Sequence, residues 1–583
     1  MILERTAFRL VRYAAVGSGF FALAWAVRSA WRQPPAALLF LLLAAASVFA
    51  AAAVVRGGAG TAALFLASSA CAAASRLLHG FATGAWYVDY VAPVGACVEP
   101  MTRVPTGLAG LLRSLSVEPR VLPGFVFAMS LAASSVAIGF LTAALRRHER
   151  SCGGPWPCRT SLAWAVLLAA DAVLASIGAS DAHHNVAFLA FGLAFWCYGE
   201  ALARQRSTQA PPCAWLLAGM FIGSAFVGLT RVELILSPLV IPLLLPGAGA
   251  PETGRIPLLG AGPRGGWASL GLGTLFAWIV VSQRHPHDLM ALYHPRTAGD
   301  FVRCLYMQSP LVASLPPLLD QPMLSVLTAV FLAAIVTREG RPLWGTAAAY
   351  AVLILPKVLG GFGMDPIRYC DDTQRYNVVI IALALLMAAC GLSQTLGLLV
   401  GRQRPMPTFR RWGAAAGIAC AVLWAVVKLA GWPRQRALPR PHQVEFAFLA
   451  RSLPEIPAGA TVVSVWLEQL HSRQDVDLQL AVPHALLVHA RPDIRWTVCR
   501  PGGPALPKGP FLYYRGSTCN IDLARAYGRG GSEGWRLLQD YDLLCRSIES
   551  RVTRWQGRQS LPVQEGYMPV REGRIEVGLG WVE

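Results

Sequence analysis

Four short stretches and one lone carboxylate hold the residues whose types could do chemistry. The first is Trp86-Tyr87-Val88-Asp89-Tyr90, where a carboxylate stands among aromatic side chains. At a membrane–water boundary such a carboxylate is partly desolvated, which raises its pKa and suits it to take a proton from an alcohol. The same rings would also serve as an ordinary interfacial belt. Glu99 is the second carboxylate of the loop that holds this stretch. The next stretch is Ser180-Asp181-Ala182-His183-His184-Asn185. Ser and Asp cap a following helix well, which accounts for Asp181 but not for two adjacent histidines. Asp181 with His183 or His184 could orient a sugar hydroxyl or hold a divalent metal, although nothing fixes a ligand set. Asp171 lies about 15 Å deeper along the preceding apolar run, where an ionisable residue marks a functional site or pairs with a partner. In Thr230-Arg231-Val232-Glu233 the two charges could pair with each other, or Arg231 could face an anionic ligand. The last stretch runs from Asp365 to Tyr376 and includes Arg368, Asp371, Asp372 and Arg375. Arg375 at the mouth of a helix suits a lipid phosphate, with Tyr376 anchoring at headgroup depth.

The elements that must position these residues are apolar. Of 583 residues, 55% are hydrophobic and only 14% charged, and the mean hydropathy is +0.46. A soluble domain carries about 25% charge, so an ordinary soluble enzyme is excluded, as are disorder and a small disulfide scaffold. The net charge of +19 is carried by arginines dispersed between apolar runs, with lysine only at Lys357, Lys428 and Lys508. That is the distribution of the positive-inside rule and not a nucleic-acid footprint, so no nucleic-acid partner is expected.

Apolar runs long enough, or nearly so, to cross a bilayer recur from Phe8 to Trp432, about thirteen in all: Phe8–Val27, Ala36–Val55, Thr61–Leu78, Leu122–Leu145, Ser161–Gly178, Val186–Leu202, Ala214–Leu229, Val232–Leu245, Trp267–Val281, Met323–Val336, Trp344–Leu359, Tyr376–Val400 and Trp412–Trp432. The first, Phe8–Val27, reads as an uncleaved span. With the N-terminus in the cytoplasm, Arg146, Arg147, Arg150, Arg159, Arg204, Arg206, Arg255, Arg264, Arg338, Arg341, Arg402, Arg404, Arg410 and Arg411 all fall inside. Arg28 and Arg32 fall on the wrong side. The Asp residues before Pro433, apart from Asp171, fall in segments on the outer side, so the chemistry is expected there. After Trp432 the sequence turns polar, with β-like runs at Thr461–Val465, Phe511–Tyr514 and Arg574–Leu579 and an amphipathic helix over Trp535–Val552. The expected fold is therefore a polytopic α-helical membrane protein of about 13 spans with a C-terminal extracytoplasmic α/β domain. Residues 1–432 form the membrane part, including an outer loop at 79–120, and residues 433–583 form the soluble part. Three cysteines lie in the soluble part, with Cys499–Cys519 a plausible disulfide in an oxidising compartment, though spacing leaves the pairing open. Cys152 and Cys158, in Cys-Gly-Gly-Pro-Trp-Pro-Cys, are weak as zinc ligands without a second pair.

The order of these features resembles the glycosyltransferase-C superfamily of polyprenyl-phosphate-sugar-dependent membrane transferases, nearest to its protein mannosyltransferase and lipid A aminoarabinose transferase branch. An acidic first outer loop with Asp89, then SDAHHNVAFLAFGLAF, LTRVELILSPLVIPLLL and DDTQRYNVVIIALALL, carry the likeness over roughly residues 60–430. The loop has Asp89-Tyr90 where the family frequently has an Asp-Glu pair, and two spans precede it where the family usually has one. The resemblance implies transfer, with inversion, from a polyprenyl-phosphate-linked sugar donor to a glycan, lipid or protein acceptor on the outer membrane face. Asp89 would act as base. Arg375, Tyr376 and Arg231 would bind the donor phosphate, and Trp86, Tyr87, Asp181, His183 and His184 the sugar or acceptor. The resemblance fixes no cofactor, and a divalent metal is left open. The Arg-rich composition points to a bacterial inner membrane. The alternatives are a lipid-linked polysaccharide ligase or polymerase, and a transporter or flippase, which would carry charges near the membrane midplane and broken helices.

Overall fold

The computed structural model describes residues 33–83, 122–152, 160–178, 184–208, 212–231, 234–245, 263, 265–281, 345–346, 348–353, 378–400, 441–465, 491, 493–503, 505–516, 519–520, 532–565 and 571–583. Its first part is helical: α1 (Gln33–Arg56), α2 (Ala59–Thr83), α3 (Leu122–Cys152), α4 (Thr160–Ala170), α5 (Ala172–Gly178), α6 (His184–Thr208) and α7 (Ala214–Thr230). A 3-10 turn (Ser237–Val240), a short α8 (Ile241–Leu244), α9 (Gly266–Val281) and α10 (Val378–Val400) follow. Three stretches, Ala59–Leu78, Ala128–Ser151 and His184–Ser207, are long and apolar enough to cross a membrane. The expected spans at Phe8–Val27, Met323–Val336 and Trp412–Trp432 lie outside the described residues.

Glycines and small side chains set how these helices pack. The hydroxyls of Ser68 and Thr142 lie 2.9 Å apart and Arg76 Nε donates to Ser134 Oγ at 2.7 Å, while Gly60 abuts Arg150, so α2 and α3 are antiparallel. Gly192 packs on Ala137 and Gly199 on Ala144, so α3 and α6 run parallel, with α4 and α5 returning between them. Gly219 meets Cys197 and Gly223 meets Ala190 and Ala194, which makes α6 and α7 antiparallel. Gly265 faces Leu217, Gly273 faces Phe221 and Ser224, and Gly228 faces Ala277, so α7 and α9 run parallel. The chain between them must therefore travel back along the bundle. It does so through residues 234–245, and Leu245 arrives against Gly199, near where Gly266 meets Tyr198.

That return differs from the apolar helix expected over Val232–Leu245. Pro238 and Pro242 each lack a backbone N–H, and the segment breaks into a 3-10 turn and one short α turn. The fifth expected span is also divided. The residue between α4 and α5 is Asp171, whose Oδ1 accepts the Leu174 N–H at 2.8 Å and so caps α5. Finally, Trp164 Nε1 donates to the Ala382 carbonyl at 2.9 Å and fastens α10 to α4.

The second described part, residues 441–583, contains α11 (Pro441–Ser452), a 3-10 turn (Leu453–Glu455), β1 (Thr461–Val465), β2 (Arg495–Cys499) and β3 (Phe511–Arg515). It ends with α12 (Ser532–Glu549), β4 (Val552–Glu565) and β5 (Arg571–Val582). The strands form one sheet in the order β2-β1-β3-β5-β4, parallel across β2-β1-β3 and antiparallel across β3-β5-β4. Phe448, Leu512, Ile575 and Leu579 belong to the buried cluster that includes α11, and Tyr513, Tyr541 and Ile548 to the one that includes α12. Tyr514 O–H donates to Glu445 Oε2 at 2.8 Å, tying β3 to α11.

The disulfide corrects the expected pairing: Cys519 joins Cys545, and Cys499 is a buried free thiol. The sheet order gives the reason. Cys499 ends β2, which β1 separates from β3, while Cys519 follows β3. Two strand spacings of ~4.8 Å exceed the ~7 Å that a disulfide spans between Cα atoms. Cys545 instead reaches Cys519 from α12.

Candidate functional site

Of the residues singled out in the sequence, Asp89, Trp86, Tyr87, Asp181, His183, Arg375 and Tyr376 lie outside the described residues. Arg231 and His184 are described, and the helix register brings them together. Arg231 follows α7 in extended backbone geometry (φ −144°, ψ 107°), its N–H still bonded to the Val227 carbonyl at 2.9 Å. His184 begins α6. With Gly219 opposite Cys197 and Gly223 opposite Ala190 and Ala194, the antiparallel register carried to the ends of the helices sets Arg231 level with His184. Both are buried, which is unusual for an arginine at a helix end. The next residue, Asn185, donates from Nδ2 to the Ile177 carbonyl at 2.8 Å and joins the start of α6 to the end of α5.

Sequence reading missed Arg76. The Thr61–Leu78 run reads as a span whose charged residue sits near its end, where arginines commonly extend toward the interface. Instead Arg76 is fully buried between α2, α3 and α5. Its Nε donates to Ser134 Oγ at 2.7 Å and its Nη1 to the Ala72 carbonyl at 3.1 Å. A Cβ on Gly178 would collide with both the Arg76 and Ser134 side chains, so the glycine that ends α5 leaves the guanidinium its room. Arg76 also interacts electrostatically with Asp171, the ionisable residue noted in the sequence. The signal was legible: it is the one charged residue in that run, and a charge inside an apolar run is suspect by default.

Arg76, Ser134, Gly178, Asn185, His184 and Arg231 thus gather at one end of the bundle. In register, Arg76 sits about one and a half helical turns below His184. Guanidinium groups in such a setting offer planar, permanently charged donor forks suited to phosphate or carboxylate.

The opposite end is also polar, and both of its buried carboxylates, Glu149 and Glu200, are paired. Glu149 accepts from the Ser161 backbone N–H at 2.7 Å and from Ser161 Oγ at 2.6 Å, and it forms an ion pair with Arg146. Glu200 pairs with Arg147 at 3.1 Å and with Arg204 at 2.7 Å. These contacts knit α3, α4 and α6 together and account for Arg146, Arg147 and Arg204 without any ligand. Among the described residues no group of three His, Cys, Asp or Glu could hold a metal ion. No protein-family model and no curated protein matches this chain.

Proposed function

We propose that this chain is a membrane glycosyltransferase of about thirteen spans. It moves a sugar, with inversion, from a polyprenyl-phosphate donor to a glycan, lipid or protein acceptor on the outer face of a bacterial inner membrane. The N-terminus is cytoplasmic in this reading and the region from Pro433 onward is extracytoplasmic. The observation that carries it is the buried pair of level residues Arg231 and His184 at one end of the bundle. The leaving group of such a donor is a phosphate that gains negative charge as the bond to the sugar carbon breaks. What that departure needs is positive charge fixed in a low-dielectric setting. Arg231 and Arg375 supply it, with Tyr376 anchoring the lipid. Asp89 removes the proton from the acceptor hydroxyl, whose oxygen attacks the sugar carbon opposite the departing phosphate. Trp86 and Tyr87 support the sugar ring, and Asp181, His183 and His184 hold sugar or acceptor hydroxyls.

A second reading, a transporter or flippase, draws on the helix interruption at Asp171, the broken segment 234–245 and the buried Arg76. Discontinuous helices around a buried charge are common in secondary transporters.

The test is release of polyprenyl phosphate from a radiolabelled polyprenyl-phosphate sugar by purified protein with membrane extract. Wild type is compared with Asp89→Asn, Arg375→Ala and Arg231→Gln. Release that falls at least roughly 100-fold in the variants supports the transferase. Full activity in Asp89→Asn removes that residue as the base. No release with any donor, together with solute or lipid movement in vesicles, favours the transporter.

A further inference from the structure

We infer that Arg76 is an anion-binding residue inside the helical bundle, and that its ligand is a tetrahedral phosphate oxyanion. The inference deepens the proposal above and rests on its lipid-phosphate donor for the source of the ligand. A buried guanidinium is strongly disfavoured by desolvation unless a counter-charge and a full set of hydrogen bonds offset it. Among the described residues Arg76 has the field of Asp171 and an incomplete set of hydrogen bonds. Its two described hydrogen bonds go to a hydroxyl and a carbonyl, both neutral. Nη2 is buried and has no hydrogen-bond partner among the described residues. Asp171 contributes its field, but its Oδ1 is committed to the Leu174 N–H.

The surroundings favour an incoming anion over a purely structural ion pair. Gly178 lets the Arg76 and Ser134 side chains pack against the end of α5, where a Cβ would collide with both. Ser134, whose Oγ accepts from Nε, fixes the plane of the fork and leaves Nη2 as the free donor. Arg76 lies seven residues before the end of α2, about 10 Å along its axis. A phosphate at headgroup depth would need to descend by only that distance. Arg231 is buried at the same end of the bundle.

The test measures binding to the purified full-length chain in detergent by native mass spectrometry and thermal shift. The probes are a long-chain polyprenyl monophosphate, the matching polyprenol and inorganic phosphate. The variants are Arg76→Gln, Arg76→Lys and Ser134→Ala, with Asp171→Asn as the control for a structural pair. We expect wild type to bind the monophosphate better than the polyprenol. Arg76→Gln should weaken the phosphate-dependent part roughly 10- to 100-fold, Arg76→Lys less, without lowering the melting temperature of the ligand-free protein. Binding of inorganic phosphate with the same Arg76 dependence supports a site open to free phosphate. Binding of the lipid alone supports a headgroup site. Unchanged binding in Arg76→Gln, or no binding of either phosphate by wild type, overturns the inference. So does a matching loss of ligand-free stability in Arg76→Gln and Asp171→Asn, which marks a structural pair. Arg76-dependent binding without sugar transfer by wild type leaves this site standing and removes the transferase reading.

Discussion

Removing the Cys519–Cys545 cross-link should loosen the C-terminal sheet by an amount its position fixes. The two cysteines are 26 residues apart in sequence. Closing a loop of that length in the unfolded chain corresponds to about 3.5 kcal/mol at 25 °C in the chain-entropy model. That is roughly a 300-fold change in the opening equilibrium. Cys499 offers the readout. It is buried at the end of β2 and is not part of the disulfide, and burial pushes its thiol pKa up, so its reactive thiolate is scarce until β2 opens. The assay follows alkylation of Cys499 at pH 8 by peptide mass spectrometry, in wild type and in a Cys519→Ala/Cys545→Ala variant of the full chain. The variant should label 100-fold or more faster when opening precedes alkylation and reclosing is fast. A difference within threefold would refute the reasoning, because the cross-link would then not restrict the opening that exposes β2. The same chemistry reports on sidedness. If Cys519 and Cys545 are reduced in intact cells, the region lies in a reducing compartment and the proposed orientation is reversed.

Two further outcomes are expected. Gly273→Leu should prevent α9 from docking on α7, because a Cβ there collides with the Phe221 carbonyl and crowds Ser224 and Ala225; little monodisperse protein should be recovered in detergent, and wild-type yield and melting would contradict the packing. In the C-terminal sheet, a hydrogen bond from Arg491 holds the Asp493 carboxyl down to about 2, below the ordinary carboxylate value of ~3.9. Its folded pKa is depressed, so its stabilisation is present above the unfolded value and disappears as pH falls toward 2. Asp493→Asn should therefore lower hydrogen-exchange protection of β2 peptides at pH 5 and match wild type at pH 2, and equal protection at pH 5 would count against the pair.

Much of the helical framework was legible because apolar length and glycine–alanine composition are local properties. The runs over Ala36–Val55, Thr61–Leu78, Leu122–Leu145 and Val186–Leu202 fall within α1, α2, α3 and α6. The runs at Thr461–Val465 and Phe511–Tyr514 fall in β1 and β3, and the amphipathic run from Trp535 overlaps α12. Prolines 238 and 242 could have announced the broken return segment, but an apolar window conceals them. Besides Asp171, the site residues named from sequence that are described are Arg231 and His184. Their types were readable; their common level was not, because it follows from the register of two antiparallel helices.

By itself, then, the sequence determined which segments are apolar, where arginines and carboxylates stand along the chain, and which residue types could meet an anion. Hydrophobicity and charge act through solvent transfer and need no partner to be read. Tertiary structure alone decided who faces whom. It joined Cys519 to Cys545 and left Cys499 alone, because strand order separates β2 from β3. It made Asp171 a helix cap in the field of Arg76, and it buried Arg76 beside Ser134 under a glycine that closes a different helix. Such pairings span 58 or more residues of chain in the case of Arg76 and Ser134. They depend on helix direction and register, which are fixed by the close packing of many small residues acting together.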